Sequence, residues 1–285
     1  MRRSKWLLVT LVALVGIGFL AAEALAKCEP EKAATKYPNV AGKKIKVAVD
    51  PESPPYTFRD PKNFENIIGF DADLTRAVFK CTGLQFEFAA GGWSGLLPSV
   101  IAGQNDVMWS DLYYTAERAR QVDYVVYMEA GTGGLVRKGN PKGIKSLEDA
   151  CGMRAAAGLG TVEEAAFRDQ GQKCTTAGKP AIQLVSYPDI AAGIRLIQND
   201  RADLMMTDLG IVDRAAQENP AIFERGFKIL SGFRIGAAVK KGNEDLLKAI
   251  YDGIQTIQSE GTQKKLLESN GVDPTLQVTA EILRK

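Results

Sequence analysis

The sequence predicts an α/β protein of two lobes. From Lys43 onward, strand-like runs alternate with helix-like ones, which argues for parallel construction. The alternation starts afresh after Gly143. The chain has 285 residues, enough for two lobes of ordinary domain size even without its first 26.

Each element has a local reason. Lys43-Lys-Ile-Lys-Val-Ala-Val-Asp50 alternates polar and apolar residues and then meets Pro51, Pro54 and Pro55, a strand running into a stiff loop. Phe70, Leu74, Ala77 and Val78 fall at helical spacing, with Asp71 in the first turn, where a negative charge complements the helix dipole. Gln85-Phe-Glu-Phe88 reads as a strand, Leu96 to Ile101 as a helix ended by Gly103, and Asp106 to Ser110 as a strand. The second unit opens with a strand at Met153 to Ala157, a turn at Gly158-Leu-Gly160-Thr161 and a helix from about Glu163. A strand at Ile182 to Val185, a helix around Ile190 to Asn199 and a strand at Ala202 to Met206 follow. Leu246, Leu247, Ile250, Ile254 and Ile257 mark a helix from Asn243 to Ser259, which periodicity alone assigns to neither lobe.

The first residues combine a basic start, Met-Arg-Arg-Ser-Lys, an apolar run from Trp6 to Ala22 and a small-residue site at Ala24-Leu-Ala26. This is the pattern of a secretory signal peptide, residues 1–26, with cleavage expected after Ala26. The alternative is an uncleaved anchor, since the apolar run is at the lower edge of what crosses a bilayer. Lys27 directly before Cys28 argues against lipid attachment, so a soluble periplasmic protein is expected. Removing the leader takes three basic residues and one acidic residue from totals of 36 and 34, which leaves the remainder near neutrality. No basic stripe argues for nucleic acid or anionic lipid. Histidine is absent, which removes the commonest general base and metal ligand. Catalysis, metal and cofactor are therefore not expected. Four cysteines in an oxidising compartment allow three pairings. Cys28 with Cys81 and Cys151 with Cys174 are the expected ones, because each pair would stay within one lobe.

Arg118 and Asp208 are the candidate grips. A guanidinium fork matches a carboxylate in a bidentate way, and a carboxylate answers an ammonium. They close the segments Gly92 to Arg118 and Arg201 to Asp208. With Gly69-Phe-Asp-Ala-Asp-Leu74, Leu97-Pro98 before Asp106, Thr115-Ala-Glu-Arg118 before Val122-Asp-Tyr124, Gly160-Thr161 and Asp203 before Asp208, the chain resembles the extracellular solute-binding proteins of family 3, the amino-acid-binding components of ABC importers. The likeness covers roughly residues 43 to 272, and the terminal stretch from Gly253 to Gly271 also resembles that family's closing helices.

The resemblance implies a type II periplasmic binding protein fold, with two crossover strands as hinge near Glu129 to Gly134 and Ser231 to Arg234. Lobe 1 would hold residues 27–130 and 232–285, and lobe 2 residues 131–231. Arg118 would hold the ligand α-carboxylate, helped by backbone N–H groups near Thr161 and Val162, and Asp208 the α-ammonium from the opposite lobe. A small zwitterionic ligand, an inner-membrane permease as partner and a monomeric state follow from the same likeness. Asp50, Asp71, Ser110 and Asp111 align with positions that meet the ligand side chain in relatives binding basic amino acids. Departures are Tyr113 where a small polar residue is common and Ser53 where an aromatic ring often stacks. Trp93 and Tyr113, with Tyr56, would form a displaced aromatic box suited to a cation or a flat ring. Asp111 beside those rings implies a ligand with a cationic or strongly donating part. An ectoine-like compatible solute is a second ligand class, weakened by the retention of Asp208. Two other readings share the fold: a dehydratase acting on cyclic aromatic precursors through cleft carboxylates, and a ligand-sensing accessory protein working on a partner in trans.

Overall fold

The computed structural model describes residues 27–285; the expected leader and its cleavage site lie outside them. After a short helix α1 (Ala33–Lys36), the chain enters β1 (Lys44–Val49), a hairpin region of β2 (Glu52–Ser53), β3 (Thr57–Asp60) and β4 (Asn63–Ile68), then α2 (Phe70–Thr82) and β5 (Gln85–Ala90). Next come α3 (Trp93–Ile101), β6 (Val107–Met108) and the long strand β7 (Val122–Arg137). A second unit runs through β8 (Arg154–Gly158), α4 (Val162–Thr176), β9 (Gln183–Tyr187), α5 (Ile190–Gln198), β10 (Leu204–Asp208) and α6 (Leu209–Glu218). The chain returns through β11 (Phe223–Lys240) to α7 (Glu244–Ser259), α8 (Thr262–Ser269) and β12 (Gln277–Leu283).

The main sheet has the order β5-β1-β6-β11-β7-β10-β8-β9. β1 lies parallel to β5 and β6, and β8 lies parallel to β9 and β10, as the alternation of strands and helices implies. The two long strands β7 and β11 run antiparallel to each other between these parallel units. The chain crosses between the two halves once in each direction, so its two crossing strands must oppose each other. Their register slips between Ile229 and Phe233, beside Ala130 and Thr132. β10 covers part of the free edge of β7, and β12 covers another part. The proline-rich loop after Asp50 is a small three-stranded sheet, β2-β3-β4, and β12 is a strand that no sequence pattern marked.

Two apolar layers flank the sheet in each half. Val47, Phe70, Leu74, Val78, Leu247, Ile250 and Ile254 pack α2 and α7 on one face, and Leu96, Val100, Met108 and Val126 pack α3 on the other. In the second half, Met205, Ile197 and Val212 lie under α5 and α6, while Ala155, Phe167 and Leu204 lie under α4. α7 therefore packs with α2 and β1 of the first unit. Gly253 permits the approach, because a Cβ there would stand 2.7 Å from Val78 Cγ1. Disulfides join Cys28 to Cys81 and Cys151 to Cys174, the expected pairs. Among the described residues no helix is long and apolar enough to cross a membrane.

Candidate functional site

Where the two halves of the sheet meet, the carboxyl ends of several strands border a cleft. Ligands of open α/β sheets bind outside such strand ends. Nine residues singled out from the sequence line it: Asp50, Ser53, Trp93, Asp111, Tyr113, Arg118, Thr161, Val162 and Asp208. Tyr56, Asp71 and Ser110 stand behind the wall, and each supports a residue that does line it.

Asp208 ends β10 and caps α6, accepting from the Gly210 N–H at 2.7 Å. It is 3% exposed. Two tyrosines from the other half of the chain reach it, Tyr56 Oη to Oδ1 at 2.8 Å and Tyr113 Oη to Oδ2 at 2.6 Å. Tyr113 Oη also lies 3.0 Å from the Gly131 carbonyl, so one hydroxyl proton faces two acceptors. Burial raises the Asp208 carboxyl above its usual value, against the lowering effect of its donors. A proton on Asp208 would let both acceptors be satisfied.

Arg118 follows the turn after β6 in a short helical turn, Arg118–Arg120. Its guanidinium donates to the Tyr113 carbonyl at 2.8 Å and, across the cleft, to the Gly160 carbonyl at 2.9 Å. Gly160 precedes α4, whose N-cap Thr161 accepts through Oγ1 from the Glu164 N–H, while Glu164 reaches back to the Gly160 N–H at 2.9 Å. The Glu163 N–H is met by its own carboxylate, the first-turn N–H of Val162 has no acceptor within the helix, and the positive end of the dipole borders the cleft. Guanidinium and helix start thus converge on one place for an anion.

Further acids stand at the wall and behind it. Asp50 uses its oxygens on the Glu52 N–H and on Ser53 Oγ, at 3.0 and 3.1 Å. Ser110 serves as a strut, accepting from the Asp50 N–H and paired with Thr57. Asp71, fully buried in the first turn of α2, accepts from Tyr127 Oη at 2.7 Å and from the Asp111 N–H at 2.6 Å. That bond holds Asp111 at a φ of +49°. Burial pushes the carboxyls of Asp50 and Asp71 up to about 6. It raises Asp111 well above its ordinary range, reinforced by Asp208, Asp71 and Glu163.

The aromatic residues do not form one box. Trp93, the first residue of α3, borders the cleft, and Tyr113 stacks on Phe233 at 5.2 Å between ring centroids. Tyr56 is buried beneath Asp208. Sequence reasoning missed Glu163, Tyr187, Asp189, Ile190, Thr207 and Ile211, which complete the second wall. Glu163 read as a helix-start acid and Asp189 is a helix cap, so both had an ordinary local explanation.

A sequence profile of the bacterial extracellular solute-binding proteins, family 3, matches residues 45–271. The L-cystine-binding protein TcyJ of Escherichia coli strain K12 is 28% identical over 224 residues, 78% of this chain and 80% of that protein. The ABC transporter arginine-binding protein 1 of the same strain is 26% identical over 231 residues, 79% of this chain and 90% of that protein. Among solved structures, an ancestral arginine-binding protein bound to arginine superposes with a TM-score of 0.72 at 29% identity, covering 79% of this chain and 97% of that one.

Proposed function

Because the chain belongs to the bacterial extracellular solute-binding proteins of family 3, we propose that it captures an amino acid or amino-acid-like molecule between its two lobes and delivers it to the permease of an ABC importer. The observation that carries this reading is the placement of Arg118 and Asp208 in one cleft, approached from different halves of the chain. In this reading, Arg118 and the start of α4 take the α-carboxylate, and Asp208 takes the α-ammonium. The ligand's opposite charges then draw the two walls together, and hinge bending about β7 and β11 gives the closed form that a membrane partner reads.

The lobes we assign are residues 27–130 with 232–285, and residues 131–231. Tyr56, Asp71 and Ser110 act as supports for Asp208, Asp111 and Asp50. Export through the leader, a periplasmic location and a monomeric state complete the proposal. The names of the relatives, which bind cystine and arginine, support an amino acid as ligand.

A thermal-shift screen of amino acids, betaines and ectoine on the purified protein tests it. A true ligand at about 100 times its Kd stabilises by roughly 2.7 kcal/mol. Stabilisation by an amino acid that disappears in Arg118→Ala and Asp208→Asn is the expected result. No response to any amino acid sinks the reading.

A further inference from the structure

Asp208 is buried at the cleft, and the protein's own donors already surround its carboxyl. Tyr56 Oη and the Gly210 N–H share Oδ1, at 2.8 and 2.7 Å, and Tyr113 Oη meets Oδ2 at 2.6 Å. A carboxylate accepts at about four lone-pair positions, so roughly one remains. The fit is close, since a Cβ on Gly210 would stand 2.8 Å from Tyr56 Oη. A neighbouring acceptor, the Gly131 carbonyl, is also met by Tyr113, at 3.0 Å. With a proton on Asp208, Tyr113 donates to Gly131 and accepts from the acid, so Oδ2 is again occupied within the protein.

We propose that the ligand's nitrogen is alkylated, as in an N,N-dimethyl or N,N,N-trimethyl amino acid, so that the molecule brings a positive charge with at most one N–H. The inference rests on the amino-acid reading of Arg118 and Asp208 and narrows the ligand class within it. A primary ammonium carries three N–H donors, and each one left unmet in a buried site weakens binding. Among the described residues, the buried carboxylate oxygen without a hydrogen bond is Asp111 Oδ1, at the same cleft. It is a single free acceptor, enough for a tertiary ammonium and too little for a primary one. A quaternary nitrogen needs none. It meets Asp208 through charge alone, and the donors around that carboxyl favour its ionised form.

The lining suits the substituents. Trp93, Tyr113 and Tyr187 border the cleft together with Val162 and Ile211. Aromatic rings attract a methylated ammonium through their quadrupole, and apolar side chains favour burial of its methyl groups. Ile211 lies in the first turn after Asp208 and is itself buried, which puts apolar surface next to the acid. The Tyr113 ring is backed by Phe233, 5.2 Å away between centroids.

The test holds carboxylate and side chain constant and varies only the nitrogen. Glycine, alanine and the amino acid with the largest thermal shift are each titrated calorimetrically as the primary form and as the Nα-dimethyl and Nα-trimethyl forms. In wild type the best methylated form should bind at least about fivefold tighter than its primary parent. Tyr113→Phe and Tyr56→Phe each return a lone-pair position to Asp208, so a folded variant should narrow that gap by more than about twofold. A smaller gap in wild type, or one that no folded variant narrows by that much, overturns the inference and leaves the amino-acid reading standing. If neither variant folds, the wild-type comparison decides. Should every form of every amino acid fail to bind, the reading and the inference fall together.

Discussion

The Tyr113 hydroxyl donates to Asp208 Oδ2 at 2.6 Å, tying the segment after β6 to the end of β10. The bond brings a residue of the first α/β unit onto the acid that closes the second. It joins the two halves at the cleft beside the crossing strands, where Tyr113 also meets the Gly131 carbonyl and the Phe233 ring. Tyr56 makes the parallel bond to Oδ1.

Tyr113→Phe therefore removes a hydrogen bond to a buried carboxyl while keeping the ring on Phe233. A cost of about 1–3 kcal/mol is expected in chemical denaturation of the ligand-free protein. Ligand affinity should fall by about tenfold, because Asp208 loses one of the groups that orient it. A variant matching wild type within about 0.3 kcal/mol would show that the contact contributes nothing.

Arg118→Lys keeps the positive charge and loses the planar fork. One ammonium cannot reproduce donation to the Tyr113 and Gly160 carbonyls while also presenting two parallel N–H groups to a carboxylate. Titration calorimetry should show about 10- to 100-fold weaker binding. Full affinity with lysine would mean that Arg118 does not grip the ligand.

The pH dependence of stability follows from the buried acids. Asp50 and Asp71 titrate near 6 in the folded protein, against about 3.9 in an unfolded chain. The folded state holds more protons between those values, so their stabilisation is fully present below about pH 4 and lost as pH rises through about 6. Asp203, held low by Arg154, works in the opposite sense, and its contribution is lost only as pH falls below the unfolded value. The ligand-free protein should accordingly melt higher at about pH 5 than at about pH 8, by a margin on the order of 2 kcal/mol. A melting temperature that rises steadily from pH 5 to about 8 would contradict this account.

Gly69→Ala should disrupt the site from behind. Gly69 has a φ of +112°, and a Cβ there would stand 2.5 Å from the Tyr56 carbonyl oxygen. That carbonyl accepts from the Asp71 N–H at 3.0 Å, so the clash falls on the junction that sets Tyr56 and Asp71 together. A loss of more than about 2 kcal/mol in thermal or denaturant unfolding is expected, with weaker ligand binding in whatever fraction folds.

Much of the protein was legible in local pattern. Alternating polar and apolar residues placed β1, helical spacing placed α2 and α7, and the spacing of the Arg118 and Asp208 segments marked residues that do border one cleft. These signals are local because backbone hydrogen bonding and side-chain periodicity repeat over a few residues. The small sheet β2-β3-β4 escaped notice since prolines at Pro51, Pro54 and Pro55 outweigh the short strands around them. β12 was missed because its reason lies on the edge of β7, far away in sequence.

Division of labour among the site carboxylates was not legible, and the reason is physical. Asp50, Asp71, Asp111, Glu163 and Asp208 are alike as letters, and each also suits a turn, a cap or a helix start. Their roles separate through burial and through partners distant in the chain: Tyr127 for Asp71, Tyr56 and Tyr113 for Asp208, Thr132 for Glu163. Residue order was enough to specify most of the strands and helices and the two opposite charges. Which acids are spent on holding the wall and which remain free to meet a ligand depended on three-dimensional packing, because desolvation and hydrogen-bond supply are properties of an assembled cavity and not of a segment.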